Sequence, residues 1–312
     1  MARVFVTGAG GFIGSAVAAH LAGPCGHDVI ASARAWGAPD KLPPGVERQV
    51  ADLLDETADW AAAFAGVDAI VHCAALVHHA GRGQGEAAFN AANAAAVERL
   101  ARAAAQAGVR RFVLVSSIAV HGRRSAVGIH AGSPVAPADA YARSKLAGEE
   151  VLSRVCAQGR LTAVIVRPPL VHGPGAPGNV ARLASHLRRG WPLPVANTPN
   201  RRSVLGIGNL ADFIARVGLA PTAGGAYVVA DAETVSTATL IEHIAQAMAR
   251  PPRLIRLPPA LIDWGARAIG RAQMADSLTG SLWVDPLDAR RAGWTPPVSL
   301  DAGLAAAVRQ RL

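Results

Sequence analysis

Near its start the chain reads VFVTGAGGFIG, from Val4 to Gly14, an apolar run followed by closely spaced glycines. The apolar run predicts a short buried strand, and the residues after the glycines are typical of a helix start. The glycines let the chain turn tightly and bring backbone N–H groups to a ligand, where the helix adds a partial positive charge. The spacing is G-x-x-G-x-x-G rather than G-x-G-x-x-G. This order predicts a dinucleotide pyrophosphate site formed by Gly8, Gly11, Phe12, Ile13 and Gly14.

Strands and helices alternate through the first half of the chain. Runs rich in Val and Ile predict strands at Arg3–Thr7, Asp28–Ala31, Ala69–Ala74, Phe112–Ser116 and Ala163–Arg167. Alanine-rich segments predict helices between them at Ile13–Ala22, Trp60–Ala65, Phe89–Gly108 and Ala140–Gly159. Such alternation is typical of a parallel sheet covered on both faces. We therefore expect an α/β fold with a Rossmann-type, doubly wound parallel sheet.

The composition of the sequence changes from Arg167 onward. Pro and Gly cluster in RPPLVHGPGAPGN and again in WPLPVANTPN. We expect an NAD(P)-binding Rossmann domain over residues 1–166 and a smaller, mostly C-terminal substrate-binding domain over residues 167–312. Some later elements should return to the main sheet, and a short strand is expected at Ala226–Ala230.

Composition restricts the class of protein. With 51% hydrophobic residues among 312, the chain is long enough to bury a core, and no apolar run reaches about 18 residues. MARVFVTG leads directly into a strand, which leaves no room for a signal peptide. The three cysteines are odd in number and lack CxxC spacing, so we expect no metal site and a reducing, cytoplasmic environment. Because no apolar run is long enough to span a bilayer, we also expect no membrane contact.

The net charge of +9 does not indicate nucleic-acid binding. The basic residues are nearly all arginine and are spread along the chain, and aromatic residues make up only 4%. A nucleic-acid surface would need basic runs with interleaved aromatics. A phosphate-bearing small substrate would use a few of these arginines equally well.

The end of the second predicted strand bears on the choice of cofactor. An NAD-specific site usually places a carboxylate there, but the chain has Ala33 followed by Arg34. A guanidinium accommodates a 2′-phosphate, so NADP(H) is favoured over NAD(H). The alternative is that Arg34 stacks over adenine and NAD is still accepted. Further cofactor contacts are expected at Asp52, Leu53, Ala74 and Ala75. For Asp52, the alternative is that it only stabilises a turn.

Tyrosine and lysine are rare in this chain, and one of each stands in Tyr141-Ala142-Arg143-Ser144-Lys145. On a helix, positions i and i+4 share a face, so the ammonium should stabilise the phenolate and move its pKa toward working pH. Tyr141 is thus a candidate proton donor or acceptor for a carbonyl/alcohol couple. Ser116 and Ser117 follow a predicted strand at the edge where such sheets bind ligands. We choose Ser117 to hold the substrate oxygen, although alternation does not separate the two serines.

Together these segments resemble the extended short-chain dehydrogenase/reductase family, in its NAD-dependent epimerase/dehydratase branch. The resemblance rests on VTGAGGFIG, HCAAL, SSIAVHG, YARSK and RPPLVHGPG and covers nearly the whole chain. It implies that Ser117, Tyr141 and Lys145 are catalytic. It also implies that Asn93, Pro168, Tyr141 and Lys145 contribute to the cofactor site. His121 departs from the family pattern, which usually has tyrosine before Gly122.

The resemblance also implies a substrate site. Asn179 and Arg202 match positions that contact a nucleotide diphosphate, and a guanidinium makes bidentate bonds to phosphate oxygens. For Asn179, a helix N-cap is the alternative. Ser277 stands where the family usually has an arginine, which leaves that role to Arg271 or weakens diphosphate binding.

The expected enzyme is therefore an NAD(P)-dependent oxidoreductase that acts at carbon 4 of a nucleotide-diphosphate sugar of the UDP-N-acetylhexosamine type. The resemblance includes both 4-epimerases and 4-ketoreductases, and NADP(H) use favours the reductase. A reductase of a non-nucleotide ketone on the same scaffold is the first alternative, and a non-catalytic dinucleotide-binding protein is the second. A homodimer is one assembly compatible with the resemblance.

Overall fold

A seven-stranded sheet, with strand order β3-β2-β1-β4-β5-β6-β9, organises the first part of the computed structural model. The structure describes residues 1–37, 42–77, 83, 85–196, 198–268, 270 and 272–309, with the backbone alone at Asn179 and at 272–274. The strands are β1 (Arg3–Thr7), β2 (Asp28–Ala33), β3 (Glu47–Val50), β4 (Ala69–His72), β5 (Arg111–Val115), β6 (Thr162–Arg167) and β9 (Gly225–Val228).

The pairings among β1 to β6 are all parallel. The order 3-2-1-4-5-6 is that of the Rossmann fold and reverses between β1 and β4, where ligands bind at the carboxyl ends of the strands. The predicted fold class is therefore confirmed. β9 joins the edge of this sheet from late in the chain.

Within the described residues, the helices that connect the parallel strands are α1 (Phe12–Ala22), α2 (Trp60–Ala63), α3 (Glu86–Asn90), α4 (Ala96–Gln106) and α5 (Ala140–Cys156). We predicted one continuous α-helix over Phe89–Gly108, and the prediction of continuity was wrong. A π-helical turn at Ala91–Ala95 joins α3 to α4. Inside that turn the side chain of Asn93 is held by the backbone of Leu76, and single π-helical turns within α-helices are frequent at functional sites.

Apolar side chains from this sheet and its helices form a core that includes Phe5, Ile70, Leu100, Phe112 and Leu152, none of them exposed to solvent. The rings of Phe5 and Phe64 meet edge to face, with 5.1 Å between centroids. Aromatic pairs in this arrangement add stability beyond the area they bury. The sheet that carries the candidate site residues is thus rigidly supported from behind.

The chain divides into two compact units. The first comprises residues 1–120, 136–167 and 210–227, and the second comprises residues 121–135, 168–209 and 228–312. In the second unit, β7 (Leu170–His172), β8 (Arg202–Gly206) and β10 (Thr234–Val235) form a small sheet, with β8 in the centre.

Helices α6 to α12 follow β7 along the chain. They are α6 (Asn179–Arg188), α7 (Ile207–Phe213), α8 (Thr237–Ala247), α9 (Pro259–Ala268), α10 (Ala272–Thr279), α11 (Leu287–Arg291) and α12 (Leu300–Arg309). Residues from α6, α8 and α12 form the core of the second unit with β8. Among the described residues, no helix combines the length and the apolar character that crossing a membrane requires.

Candidate active site

The turn between β1 and α1 and the first turn of α1 are packed so closely that only glycine fits at Gly8 and at Gly14. Gly8 has φ +69°, and a Cβ added there would lie 2.7 Å from the Cα of Ala74 at the end of β4. A Cβ on Gly14 would lie 2.2 Å from the carbonyl oxygen of Gly8. The first turn of α1 therefore lies directly against the loop, and the loop lies against the neighbouring strand.

The N-terminus of α1 has no side chain to satisfy its first amide groups. Its N-cap residue is Gly11, which makes no side-chain capping bond, and Phe12 and Ile13 open the helix. Unsatisfied amides and the helix dipole favour an anion at this point. The turn thus fits the pyrophosphate of a dinucleotide.

The ends of β2 and β3 lie beside this turn. Ala33 is the last residue of β2 and is buried, and a Cβ on Gly10 would lie 3.1 Å from the Cβ of Ala33. Arg34 follows and is exposed. Asp52 lies two residues beyond β3, and its Oδ1 accepts a hydrogen bond from the N–H of Leu54 at 3.0 Å. This contact is typical of an Asx turn, which agrees with the alternative interpretation of Asp52 as a turn residue. Leu53 is half-buried beside it.

Helix α5 carries the Tyr-Lys pair. Asp139 caps the helix, since its Oδ1 accepts a hydrogen bond from the N–H of Ala142 at 2.8 Å. Tyr141 is consequently in the first turn and Lys145 one turn further on the same face. The ring of Tyr141 meets that of Phe89 edge to face, at 6.4 Å between centroids.

The hydroxyl groups of Ser117 and Tyr141 are hydrogen-bonded to each other. Burial raises the pKa of Tyr141, this hydrogen bond lowers it, and the charge of Asp139 raises it, with a net upward shift. We predicted that the neighbouring Lys145 lowers the pKa of Tyr141. This prediction was wrong, because burial of the phenol raises its pKa more than the hydrogen bond from Ser117 lowers it. The phenol is therefore protonated at neutral pH.

Lys145 is buried, and its Nζ donates a hydrogen bond to the carbonyl oxygen of Val115 at 2.7 Å. Burial lowers its pKa to about 8, while Glu149 and Cys73 act in the opposite direction. The ammonium is held at the carboxyl end of β5, one residue before the two serines.

Sequence reasoning missed a buried group behind this pair. Ser116 donates a hydrogen bond to Glu149, and the guanidinium of Arg167 holds the same carboxylate with Nη2–Oε2 at 2.6 Å and Nε–Oε1 at 3.0 Å. The side chains of Arg167 and Glu149 are 9% and 4% exposed, so the pair is shielded from solvent. The signal in the sequence is Glu149 itself, four residues after Lys145 on the same helix face.

Asn93 ties three elements together. Its Oδ1 accepts a hydrogen bond from the N–H of Leu76 at 2.8 Å, and its Nδ2 donates to the Leu76 carbonyl and to Ser144 Oγ at 3.0 and 2.9 Å. A Cβ on Gly148 would lie 2.3 Å from the carbonyl oxygen of Asn93, so α5 and the π-helical turn are in direct contact. Near Leu76, Ala74 is half-buried and Ala75 is exposed.

Arg202 opens β8 in the second unit. Its Nη1 donates hydrogen bonds to the carbonyl oxygens of Gly280 and Asp276 at 3.1 and 3.3 Å, and its other nitrogens donate none within the described residues. Burial lowers its pKa, the charge of Arg124 lowers it further, and Asp276 raises it. The neighbouring Arg201 is exposed instead and stacks on Trp283, 3.5 Å from the ring centroid.

An open concavity of about 340 Å³ lies beside Arg202, lined by Arg124, Ser125, Ala126, Thr279, Gly280 and Ser281. Arg124 donates hydrogen bonds to Asp276 at 2.7 Å and to Asp263 at 3.1 Å. Sequence reasoning missed Arg124 because these partners are more than 100 residues away along the chain. Ser277 is half-buried on α10, and Arg271 lies outside the described residues.

The other expected site residues are located as follows. Asn179 is the first residue of α6, so the interpretation of Asn179 as the N-cap was wrong, because Gly178 occupies that position. The side chain of Asn179 lies outside the described part of the chain. Pro168 is buried directly after β6. His121 is buried, and its Nδ1 lies 3.0 Å from the carbonyl oxygen of Pro134.

The profile of the NAD dependent epimerase/dehydratase family matches residues 4–230. The chain belongs to this family. It is 31% identical to a UDP-glucose 4-epimerase of Vibrio cholerae, over 96% of this chain and 92% of that protein. It is also 31% identical to a 2-alkyl-3-oxoalkanoate reductase of Stenotrophomonas maltophilia, over 97% of both chains.

A solved structure of the UDP-glucose 4-epimerase of Thermus thermophilus in complex with NAD superposes with a TM-score of 0.80. The two chains are 25% identical, and the superposition covers 99% of this chain and 98% of the other. The chain is thus an extended short-chain dehydrogenase/reductase enzyme that uses a nicotinamide dinucleotide. The glycine turn and the uncapped start of α1 fit that cofactor.

Proposed function

We propose that the enzyme is an NAD(P)-dependent oxidoreductase that acts at carbon 4 of a nucleotide-diphosphate sugar. The proposed substrate is of the UDP-N-acetylhexosamine type, and the reaction is 4-epimerisation or 4-keto reduction. The hydrogen bond between Ser117 and Tyr141, with Lys145 one helical turn away, is the observation that carries this proposal. A paired phenol and hydroxyl are suited to a carbonyl or alcohol oxygen.

Each residue of this group has a distinct task. The bound nicotinamide supplies the hydride acceptor and donor. Tyr141 passes a proton to or from the carbon-4 oxygen, and Ser117 orients that oxygen. Because negative charge develops on the oxygen during the reaction, a donor placed there stabilises the transition state more than the ground state. The ammonium of Lys145 adds a positive charge to the same site.

The residues at the end of β2 support reduction over epimerisation. Ala33 and Arg34 favour NADP(H), which reductases use more often than epimerases do. Tyr141, whose pKa is raised by burial, can donate a proton to a substrate carbonyl. We therefore favour the reductase.

Arg202 supports the diphosphate part of the proposal. Two of its three guanidinium nitrogens donate no hydrogen bond within the described residues, so they remain available for phosphate oxygens. The similarity to a UDP-glucose 4-epimerase over nearly the whole chain supports a uridine nucleotide.

We propose NADP(H) as the preferred cofactor. Ala33 places no carboxylate at the end of β2, and the exposed guanidinium of Arg34 follows it. Removing an acid removes a repulsion, and the guanidinium supplies a charge-assisted contact to a 2′-phosphate. Arg34→Ala should weaken NADPH binding more than NADH binding, whereas Arg154→Ala, also at an exposed arginine, should change neither dissociation constant. A preference for NADH in the unaltered enzyme contradicts this assignment.

A reductase of a non-nucleotide ketone is the second candidate. The similarity to a 2-alkyl-3-oxoalkanoate reductase, which is also 31% identical and covers 97% of this chain, favours it specifically. Such a substrate needs no diphosphate ligand, so Arg202 would then have a structural role only.

Binding measurements with UDP-, GDP- and dTDP-sugars, in the presence of NADPH, distinguish the two candidates. We expect binding of a UDP-sugar that Arg202→Ala weakens by at least about tenfold, consistent with the loss of a charge-assisted bidentate contact. Arg201→Ala is the matched control and should leave the affinity unchanged. Absence of nucleotide-sugar binding, together with turnover of a 3-oxo acid, would replace the first candidate with the second.

A further inference from the structure

Helix α9 presents an apolar face to solvent. Leu261 is 56% exposed and Trp264 is 72% exposed, and Leu257 just before the helix is 38% exposed. Ile262 and Ala266, on the opposite side of the helix, are buried. The spacing of Leu261, Trp264 and the exposed Ala268 follows the i, i+3, i+7 pattern of one helix face.

Positive charge accompanies this face. Arg253 and Arg256 precede the helix, Arg267 is in its last turn, and all three are exposed. None of the three forms an ion pair with a carboxylate in the described part of the chain. We call Leu257, Leu261 and Trp264, with Arg253, Arg256 and Arg267, the α9 surface.

The one acidic residue of α9, Asp263, is hydrogen-bonded away from the exposed face and offsets only part of the charge of Arg267. Asp263 accepts hydrogen bonds from Thr279 Oγ1 at 2.5 Å and from Arg124 Nη2 at 3.1 Å. The hydrogen bond from Thr279 lowers the pKa of Asp263, burial raises it, and the hydrogen bond and charge of Arg124, followed by the charge of Arg267, lower it further. The carboxylate is thus held mainly by Thr279 and Arg124. The α9 surface therefore combines exposed apolar side chains with arginines that form no ion pair within 4 Å among the described residues.

Contrary to the expectation of no membrane contact drawn from the sequence, we infer that the α9 surface binds the headgroup region of an anionic lipid membrane. A helix with leucine and tryptophan on one face and arginine at its borders is the composition of an interfacial helix, which lies in the membrane plane. Charge complementarity selects an anionic surface over a second copy of the chain. Two copies meeting by this face would bring the same arginines together.

Vesicle co-sedimentation tests this inference. The unaltered protein should bind vesicles of phosphatidylcholine that contain about 30% phosphatidylglycerol and bind pure phosphatidylcholine far more weakly. Binding should fall in about 0.5 M NaCl, because salt screens the attraction. Equal binding to both vesicle types would overturn the role assigned to charge.

Two sets of variants separate the charged and the apolar contributions. R253Q/R256Q/R267Q should lower partitioning onto the anionic vesicles by at least about tenfold, since each arginine near such a surface contributes about fivefold. R154Q/R160Q/R290Q removes three other exposed arginines, so both triple variants have the same net charge of +6, three below the +9 of the unaltered chain. The control variant should bind much as the unaltered protein does.

The apolar variant is Leu261→Ser with Trp264→Ser, and its matched control is Val50→Ser with Leu54→Ser at two other exposed apolar positions. Only the first pair should lose vesicle binding. If the first pair binds as the unaltered protein does, the inference is wrong. Concentration-dependent self-association that is lost in this variant, without any vesicle binding, would show instead that a second copy occupies the α9 surface.

Discussion

Tyr141 and Lys145 share a helix face, but their titration is set by burial more than by each other. Burial raises the pKa of the phenol and lowers that of the ammonium to about 8. The hydrogen bond from Ser117 acts against the first shift, and the charge of Glu149 acts against the second. Both shifts favour the uncharged form, as expected of groups removed from water.

Replacing Tyr141 with phenylalanine tests the proton transfer. Because the ring stays and only the hydroxyl is removed, substrate affinity should survive while kcat falls by about 10²–10⁴-fold. Tyr227→Phe is the matched control, since Tyr227 is the only other tyrosine of the chain, and it should retain normal turnover. Turnover of Tyr141→Phe within about threefold of the original would indicate another proton donor, and His121 is then the first residue to test.

At the scale of elements, the turn before α1 and the helix α5 position the site by close backbone contact. Gly14 lets α1 approach the carbonyl of Gly8, and Gly148 lets α5 approach the carbonyl of Asn93. A glycine-rich turn therefore indicates a dinucleotide site only where it joins a strand to a helix, because the close contacts are made with those two elements.

Gly14→Ala should disrupt cofactor binding. The added Cβ would lie 2.2 Å from the Gly8 carbonyl oxygen, so either the loop or the helix must move. We expect the dissociation constant for NADPH, measured by fluorescence titration, to rise by at least about tenfold, the effect of about 1.4 kcal/mol. Gly159→Ala, where a Cβ meets no atom within 4 Å, should bind NADPH normally. Equal affinities in the two variants would place the pyrophosphate elsewhere.

Glu149→Gln tests the buried group behind Lys145. Activity should decline as pH rises through about 8, because Lys145 loses its proton there. Glu149 raises the pKa of Lys145, so removing its charge should move this alkaline limb of the kcat profile to lower pH. Ser116→Ala keeps the carboxylate and should leave the limb in place. A purely structural role for Glu149 predicts lower stability in Glu149→Gln with an unchanged limb.

At the scale of the whole molecule, only the first unit contains the glycine turn and the Tyr-Lys helix, while Arg202 belongs to the second. A ligand that binds only the native state stabilises it by mass action. NADPH should therefore raise the melting temperature of the chain, although most of the residues that unfold do not contact it.

Thermal denaturation in the presence of NADPH measures this effect. At about 100 times the dissociation constant, the stabilisation is about 2.7 kcal/mol, which corresponds to roughly 5 °C in Tm for a chain of this size. Gly14→Ala protein should show no such rise at the same NADPH concentration. An unchanged Tm of the unaltered protein at saturating NADPH would contradict the cofactor assignment.

Features that depend on residues close together along the chain could be predicted from the sequence alone. Strand-turn-helix order around Gly8–Gly14 and the spacing of Tyr141 and Lys145 are local patterns, because a helix turn or a strand edge is defined within a few residues. The Rossmann sheet followed from repetition of such units.

Tertiary structure decided which groups meet across the chain. It assigned Ser117 to Tyr141 and Ser116 to Glu149, paired Glu149 with Arg167 from another strand, and set Arg124 beside Arg202. It also reversed the expected pKa shift of Tyr141. Alternation along a strand cannot choose between adjacent serines, and burial is a property of all the elements packed around a side chain. Both depend on contacts between residues far apart in sequence, which no local pattern encodes.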